Sequence, residues 1–84
     1  SMEMLNFQKD LFRKLPKEIQ RLYTSQEKRF CVNWRDPRLH IKKVESLAHA
    51  FSFRITRRYR VFFYFKDVNY AVFFDIDHRK DIYR

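Results

Sequence analysis

Between residues 51 and 76, apolar side chains recur at every second position along three short runs. A period of two places alternate side chains on opposite faces of an extended chain, so the pattern predicts three β-strands with one face in a core. Short links at residues 57–58 and 66–69 predict antiparallel hairpins between them. The apolar positions are Phe51, Phe53 and Ile55 in the first run, Tyr59, Val61, Phe63 and Phe65 in the second, and Tyr70, Val72, Phe74 and Ile76 in the third.

The first part of the chain has a helical period. Phe7, Leu11 and Leu15 are spaced by four residues and form one apolar stripe. Pro16 interrupts the stripe and suits the first turn of a second helix, which we expect over residues 17–32. The apolar face of that second helix comprises Ile19, Leu22, Tyr23, Gln26 and Phe30.

Helices followed by strands predict an α+β fold. We expect an N-terminal helical hairpin packed on a mainly antiparallel sheet of three to four strands. A chain of 84 residues has room for one domain, which we place at residues 1–84. Glycine is absent, so tight turns must use Asn, Asp, Pro or strained residues.

The chain is strongly basic, with nineteen Lys and Arg against ten Asp and Glu and a net charge of +9. Such a field attracts nucleic acid, an acidic protein or an anionic membrane, and charge alone does not choose among them or exclude a merely solvated basic surface. The longest apolar run, residues 61–65, is too short to span a bilayer. With Cys31 as its single cysteine, the chain forms no internal disulfide. We therefore expect a soluble cytoplasmic protein without a membrane partner.

Three arginines lie where they can converge. Arg54 and Arg60 have the same parity on adjacent predicted strands, and Arg79 follows the end of the third strand. Guanidinium groups stay charged and bind phosphate through a bidentate fork, so the set suits a phosphodiester. The alternative is that all three are ordinary charges on a solvated sheet face. In either case we expect Arg60 and Arg79 at the solvent-facing rim of the sheet.

Tyr83 and His78 are candidates for proton transfer. A phenol near arginines loses its proton more readily than usual, and an imidazole titrates near pH ~6.5. Tyr83 is equally suited to stacking on a base or filling the edge of the core. His78 falls on the same side as Ile76, which suits a structural role as well. His40 and His49 have no partner that the sequence identifies.

A metal site is the rival interpretation of the end of the third strand. Asp77 and His78 are consecutive and so lie on opposite faces, and Arg79 and Lys80 would repel a cation. We therefore expect no metal and no cofactor. The acidic and imidazole groups in question are Asp75, Asp77, His78 and Asp81. Aromatic residues predicted on the arginine face suit either nucleobase stacking or cover by a protein partner; they are Phe62, Tyr64 and Phe73.

Several segments, in this order, resemble the RelE/ParE family of toxins: residues 14–20 (KLPKEIQ), residues 36–43 (DPRLHIKK), the Tyr59-Arg60 pair and residues 78–83 (HRKDIY). The resemblance covers nearly the whole chain. It implies a short first strand, two helices and three further strands; only residues 1–5 remain for that first strand, so we expect it to be very short or absent. Family members carry glycine before the Tyr-Arg pair and before the His-Arg pair. Here Arg57 or Arg58, and Asp77, stand there, so the loop geometry is expected to differ.

The resemblance implies the toxin of a type II toxin–antitoxin system. Its RelE-like branch cleaves mRNA in the ribosomal A site without a metal, using the 2′-hydroxyl of the substrate. The implied partners are an acidic antitoxin, in a toxin–antitoxin hetero-oligomer, together with mRNA and the ribosome. The catalytic candidates are Arg54, Arg60, His78, Arg79 and Tyr83. The RNA-binding candidates are Lys42, Lys43, Arg58, Tyr64, Lys80 and Arg84.

Two alternatives stay open at this point. One is a ParE-like inhibitor of DNA gyrase without nuclease activity, and the other is an inactive member that only binds antitoxin or RNA. A shared fold does not separate these functions. The presence of Arg60, Arg79 and Tyr83 favours the nuclease, because a gyrase inhibitor has no need of that set.

Overall fold

The computed structural model describes residues 2–4 and 6–78, with the side chains of residues 9–10 and 12–76. In this part of the chain the elements are β1 (Met2–Met4), α1 (Asn6–Lys14), α2 (Lys17–Val32), a 3₁₀ turn (Pro37–Leu39), β2 (Lys42–Lys43), β3 (Ala50–Arg54), β4 (Tyr59–Asp67) and β5 (Tyr70–His78). The predicted α+β class is confirmed, and α2 has the predicted bounds. Neither described helix combines the length and the apolar character needed to cross a membrane.

The described strands form one sheet with the order β1-β5-β4-β3-β2. β1 runs parallel to β5, and the other neighbouring pairs are antiparallel. The prediction of a mainly antiparallel sheet with a very short first strand is confirmed. The two-residue strand β2 brings the sheet to five strands where three to four were predicted, because Lys42 and Lys43 are too few and too polar to produce an alternating pattern.

The main core lies between the helices and one face of the sheet. Phe30 of α2 lies over the middle of the sheet, with its ring centroid 4.9 Å from that of Phe63 and 5.0 Å from that of Phe73, both edge to face. Leu15 and Ile19 pack at the margin of the same cluster. The Trp34 ring packs on Phe65 at 4.9 Å and extends the cluster beyond the end of α2. The side chains of Phe7 and Leu11 lie outside the described residues.

A β-bulge in β5 interrupts the predicted alternation. Phe62 pairs with Asp75 while Phe63 pairs with Phe73, so Phe74 is an extra residue on β5. Phe73 and Ile76 are therefore both buried in the helix-side core, three positions apart. The prediction that Phe73 shares the face of the arginines is wrong, because a strict period of two does not continue through a bulge.

The glycine-free chain uses histidines for left-handed backbone. Among the described residues, His40 has φ 50° and His49 has φ 62°. Positive φ costs a residue with a Cβ on the order of 1 kcal/mol or more, and His is one of the residue types that adopts it most readily. The β3–β4 link closes without such a residue, because the Thr56 hydroxyl accepts hydrogen bonds from the backbone N–H groups of Arg58 at 3.1 Å and Tyr59 at 3.2 Å.

Gln26 joins α2 to two other parts of the fold. Its Nε2 donates to the carbonyl oxygen of Arg38 at 2.9 Å and to that of Arg54 at 2.7 Å, and the residue is 6% exposed. We expect Gln26→Leu to lower the free energy of unfolding by about 2 kcal/mol or more, because buried carbonyls without partners cost about 1–3 kcal/mol each. Urea denaturation measures this; Ser25→Ala, on the exposed side of the same helix, should stay within about 0.5 kcal/mol of the unsubstituted protein.

Candidate nucleic-acid interface

The candidate site lies on the sheet face that the helices leave uncovered. Arg54 of β3 pairs directly with Arg60 of β4, and Arg60 pairs in turn with Asp77 of β5. Residues directly opposite in an antiparallel pair share a face and lie about 4.5–5.5 Å apart at Cβ. The predicted placement of Arg54 and Arg60 side by side on one face is therefore present in the structure.

Arg60 does not point to solvent. The residue is 1% exposed, and its Nε donates to the Ser52 hydroxyl at 2.8 Å. One terminal nitrogen donates to the carbonyl oxygen of His40 and, at 3.3 Å, to that of Ser52. The prediction that Arg60 lies at the solvent-facing rim is wrong. A buried guanidinium is stable only when it is hydrogen-bonded, and the carbonyl groups beneath it supply those bonds.

Arg54 differs from Arg60 in the hydrogen bonding of its side chain. Its backbone carbonyl is held by Gln26, but its side-chain Nε is buried and has no hydrogen-bond partner among the described residues. The side chain as a whole is partly exposed. A buried donor of this kind is uncommon and calls for an acceptor. A bound anion would supply one.

The cationic candidates beside this pair are exposed. Lys42 and Lys43 form the edge strand β2, opposite Ser52 and Phe51 respectively. The Lys43 ammonium lies 5.5 Å from the centroid of the Phe51 ring, within the range of a cation–π contact. Arg58 lies in the β3–β4 link, next to the end of β3 that carries the arginine pair. Lys42 therefore flanks the pair from the edge strand and Arg58 flanks it from the link, whereas Lys43 lies over Phe51 on the helix side of the sheet.

Tyr64 lies apart from the arginines. It pairs with Ala50, four residues along β4 from Arg60, which corresponds to about 13 Å at ~3.3 Å per residue. The residue is 38% exposed, and its ring centroid lies 5.9 Å from that of Phe74. It lines an open groove of about 610 Å³ whose other lining residues are Leu47, Ala48, His49, Ala50, Phe65 and Phe74. We refer to it as the Tyr64 groove.

The surface between the arginine pair and the Tyr64 groove is closed by the chain itself. Phe62 is 2% exposed and packs with Val44 and Ala50 in a second, smaller core. Phe62 is therefore covered by the segment of this chain that precedes β3, and the predicted cover by a protein partner is not what the structure shows. The apolar residues Val44 and Leu47 of that segment predict contacts with the core; the prediction is confirmed for Val44 and wrong for Leu47, which is 47% exposed.

The remaining site candidates are at the end of β5 and beyond it. His78 is the last residue of β5, and its backbone pairs with that of Tyr59. The His78 side chain and residues Arg79, Lys80, Tyr83 and Arg84 lie outside the described residues, as do Asp81 and the Asp77 side chain. Their roles stay predictions. In the described part of the chain, no group of three or more His, Cys, Asp and Glu residues could hold a metal ion.

Two groups that do not belong to the arginine pair have shifted pKa values. Hydrogen bonds from the guanidinium and the backbone N–H of Arg38 lower the pKa of Asp36 to about 2. Because the pKa is lowered in the folded state, the stabilising effect of Asp36 is present at neutral pH and is lost as the pH falls from about 4 towards 2. Desolvation and the nearby Glu27 raise the pKa of the Cys31 thiol, which disfavours the thiolate that a nucleophile requires.

By architecture, the protein has a RelE-like α+β fold. A solved chain of the YoeB–YefM complex from Staphylococcus aureus has a similar structure, with a TM-score of 0.67 and 14% sequence identity over 92% of this chain and 93% of that chain. No family model matches this sequence, and no curated protein matches it. At 14% identity the similarity shows the fold, and the function has to be argued from the residues.

Proposed function

We propose that this protein is the toxin of a type II toxin–antitoxin system and acts as a metal-independent, ribosome-associated mRNA endoribonuclease. The observation that carries the proposal is the Arg54–Arg60 pair on the face of a RelE-like sheet opposite the helices, with a buried Arg54 donor that lacks a partner in the described part of the chain. The similar fold in the YoeB–YefM complex supports a toxin that is held by a protein partner.

In the proposed reaction the 2′-hydroxyl oxygen of the substrate attacks the adjacent phosphorus. The O2′–P bond forms as the P–O5′ bond breaks, so the products carry a 2′,3′-cyclic phosphate and a 5′-hydroxyl. Tyr83 or His78 accepts the proton from the 2′-hydroxyl, and the other returns a proton to the departing O5′. Arg54 and Arg79 stabilise the additional negative charge on the phosphate oxygens.

Inducing the protein without its antitoxin should stop growth by arresting translation. In pulse-labelled cells, methionine incorporation should fall before thymidine incorporation, because mRNA cleavage on the ribosome blocks protein synthesis first. The opposite order, with accumulating DNA breaks, would support the ParE-like gyrase inhibitor instead. Unchanged incorporation of both labels would leave the inactive, binding-only member as the better description.

The proposed attack by the 2′-hydroxyl leads to a second, independent prediction about the cleavage products. Cleavage should persist in excess EDTA under conditions in which the ribosome survives or is not needed, and the fragments should end in a 2′,3′-cyclic phosphate. Fragments with a 5′-phosphate and a plain 3′-hydroxyl would mean that an activated water is the nucleophile. The metal interpretation centred on Asp75, Asp77 and His78 would then have to be adopted.

The Tyr64 groove is where we expect an acidic antitoxin to lie. Its apolar lining accepts an apolar side chain, and the net charge of +9 favours an acidic segment around it. Leu47, 47% exposed, lies in this groove. Leu47→Asp should raise the Kd for the antitoxin about tenfold, a loss of about 1.4 kcal/mol, because it removes apolar contact and adds a charge of the partner's sign.

A matched control is available outside the groove. Val32, at the end of α2, is 88% exposed and lies outside the groove. Val32→Asp makes the same change in net charge at an exposed apolar position, so it should leave the Kd within about twofold when measured by isothermal titration calorimetry. Equal losses for the two variants would show that the antitoxin senses net charge and does not occupy the groove.

A further inference from the structure

We propose that a cleft beside Trp34 binds a base of the substrate RNA, next to the nucleotide that lies at the Arg54–Arg60 pair. The connection between α2 and β2 forms this cleft, which we call the Trp34 cleft. Its volume is about 450 Å³, a size typical of small-ligand sites, and its lining residues are Trp34, Arg35, Asp36, Pro37, His40 and Ile41. The proposal rests on the proposed function, because it takes RNA as the ligand, but it can fail while the proposed function holds.

The aromatic residues that the sequence suggested for base stacking are not available at the arginine pair. Phe62 and Phe73 are buried, and Tyr64 lies four residues from Arg60 along β4. Trp34 is only half-buried. An indole offers a large flat face, and bases of any kind stack on such a face. Trp34 is therefore a better candidate for stacking than the residues predicted from the strand pattern.

The indole of Trp34 packs on the core and also carries a cation. Its ring centroid lies 4.9 Å from that of Phe65 and 6.2 Å from that of Phe51, both edge to face. The guanidinium carbon of Arg35 lies over the indole, 4.9 Å from the ring centroid. Arg35 is exposed, and an exposed cation–π contact contributes little. The guanidinium can therefore turn to a phosphate while a base takes its place on the ring.

The charge around the cleft favours a polyanion. Its carboxylate, that of Asp36, is engaged by Arg38, whose Nε and terminal nitrogen donate to it at 3.0 and 2.7 Å. This ion pair compensates the negative charge, so the carboxylate does not leave the cleft acidic. The other charged residues between Asn33 and Lys43 are all basic. A phosphate backbone is attracted by such cations, and aromatic rings among them bind the bases.

The cleft adjoins the arginine pair and is held in place from two sides. His40 lines the cleft, and its backbone carbonyl accepts a hydrogen bond from Arg60. From the helix side, Gln26 binds the carbonyl oxygen of Arg38 at 2.9 Å, and Leu39 is fully buried in the core. A site that is fixed in advance loses little conformational freedom when a ligand binds. An RNA strand at the pair therefore meets a preformed cleft beside it.

The first measurement uses the fluorescence of Trp34, which is the single tryptophan of the chain. The probe is a single-stranded 2′-O-methyl RNA oligonucleotide, which resists the proposed cleavage because its 2′ oxygen is blocked. Stacking of a base on the indole should quench the emission by about half or more at saturation. Inorganic polyphosphate has the charge but no bases, so it should leave the emission nearly unchanged.

The second measurement compares the affinities of variants for the same oligonucleotide. Trp34→Leu should raise the Kd about tenfold, whereas Trp34→Phe keeps a stacking ring and should recover most of the affinity. Arg35→Gln should reduce the dependence of log Kd on log salt concentration by about 0.7, the loss of one phosphate contact to a single strand. Arg21→Gln, on the exposed surface of α2, removes the same charge and should leave both quantities unchanged.

Unchanged emission with the oligonucleotide bound, or full affinity in a folded Trp34→Leu variant, would overturn the proposal and leave the proposed function standing. Equal quenching by polyphosphate would also overturn it, because the emission would then follow charge alone. If Trp34→Leu does not fold, the quenching of the unsubstituted protein and the salt dependence of Arg35→Gln decide. A protein that binds no RNA at all would contradict both the Trp34 cleft and the proposed function.

Discussion

Phe63→Ala should lower the free energy of unfolding by about 3–5 kcal/mol, as is typical when a buried phenylalanine is truncated. Phe63 is fully buried on the central strand β4. Its ring centroid lies 4.9 Å from that of Phe30 and 6.1 Å from those of Phe53 and Phe73, so the substitution leaves a cavity where the helix and three strands meet. Domains of this size have a total stability of about 5–15 kcal/mol, so the loss is a large share of it.

Urea denaturation followed by circular dichroism at 25 °C measures the change. Val68→Ala is the control, because Val68 is 89% exposed in the β4–β5 turn and should shift the value by no more than about 0.5 kcal/mol. The slope of the transition should be the same for the two variants and the unsubstituted protein. A loss below about 1 kcal/mol for Phe63→Ala would show that the core is not organised around this ring.

Arg54→Ala should reduce the rate of RNA cleavage by about 10²–10³, the usual loss when one donor to a developing negative charge is removed. The fold should be unaffected, because Gln26 binds the backbone carbonyl of Arg54 and not its side chain. The buried Nε of the side chain has no partner among the described residues, so losing this donor breaks no hydrogen bond in that part of the fold. Single-turnover cleavage of an oligonucleotide or of ribosome-bound mRNA measures the rate.

Two variants show whether the loss is specific. Arg21→Ala makes the same change in charge on α2, where Arg21 forms only an exposed ion pair with Glu18, and should leave the rate within about twofold. Arg54→Lys keeps the charge but loses the fork, and should fall between alanine and arginine. A full rate in Arg54→Ala, with the unfolding transition unchanged, would remove Arg54 from the site and leave the charge stabilisation to Arg79.

The sequence predicted the elements well where a regular period continued. α2 has the predicted bounds, and β3 and β4 follow the alternation that Phe53, Val61 and Phe63 indicated. β5 departs from it because Phe74 is an extra residue, and composition does not distinguish Phe73 from Phe74. β2 was not predicted, since two lysines at a sheet edge carry no pattern.

The sequence identified the types of residue in the candidate site better than their geometry. The alternation of side chains along the strands placed Arg54 and Arg60 on one face. The direction of each guanidinium depends on hydrogen-bond acceptors outside these strands, and the strand pattern says nothing about them. The carbonyl of His40 is one such acceptor, and it is oriented by a left-handed residue that the sequence did not identify. Gln26 was the one indication in the sequence of such buried polar contacts, because a polar residue on an otherwise apolar helical face has to form hydrogen bonds inside the fold. No pattern in the sequence indicated the Tyr64 groove, because Leu47, which lines it, belongs to an irregular segment.

The order of the sheet also determines the point in synthesis at which the described fold can be completed. β5, the last of the described strands in chain order, is an interior strand between β1 and β4, and residues 2–4 pair with residues 71–73. A nascent chain that ends before Tyr70 leaves β1 without a partner and one edge of β4 unpaired, and the rings of Phe30 and Phe63 lack Phe73. Pairing between segments so distant in sequence is slow and comes late in folding. The sheet is therefore completed only after residues 70–78 have left the ribosome, so a shorter nascent chain lacks the complete sheet on which the candidate site is built.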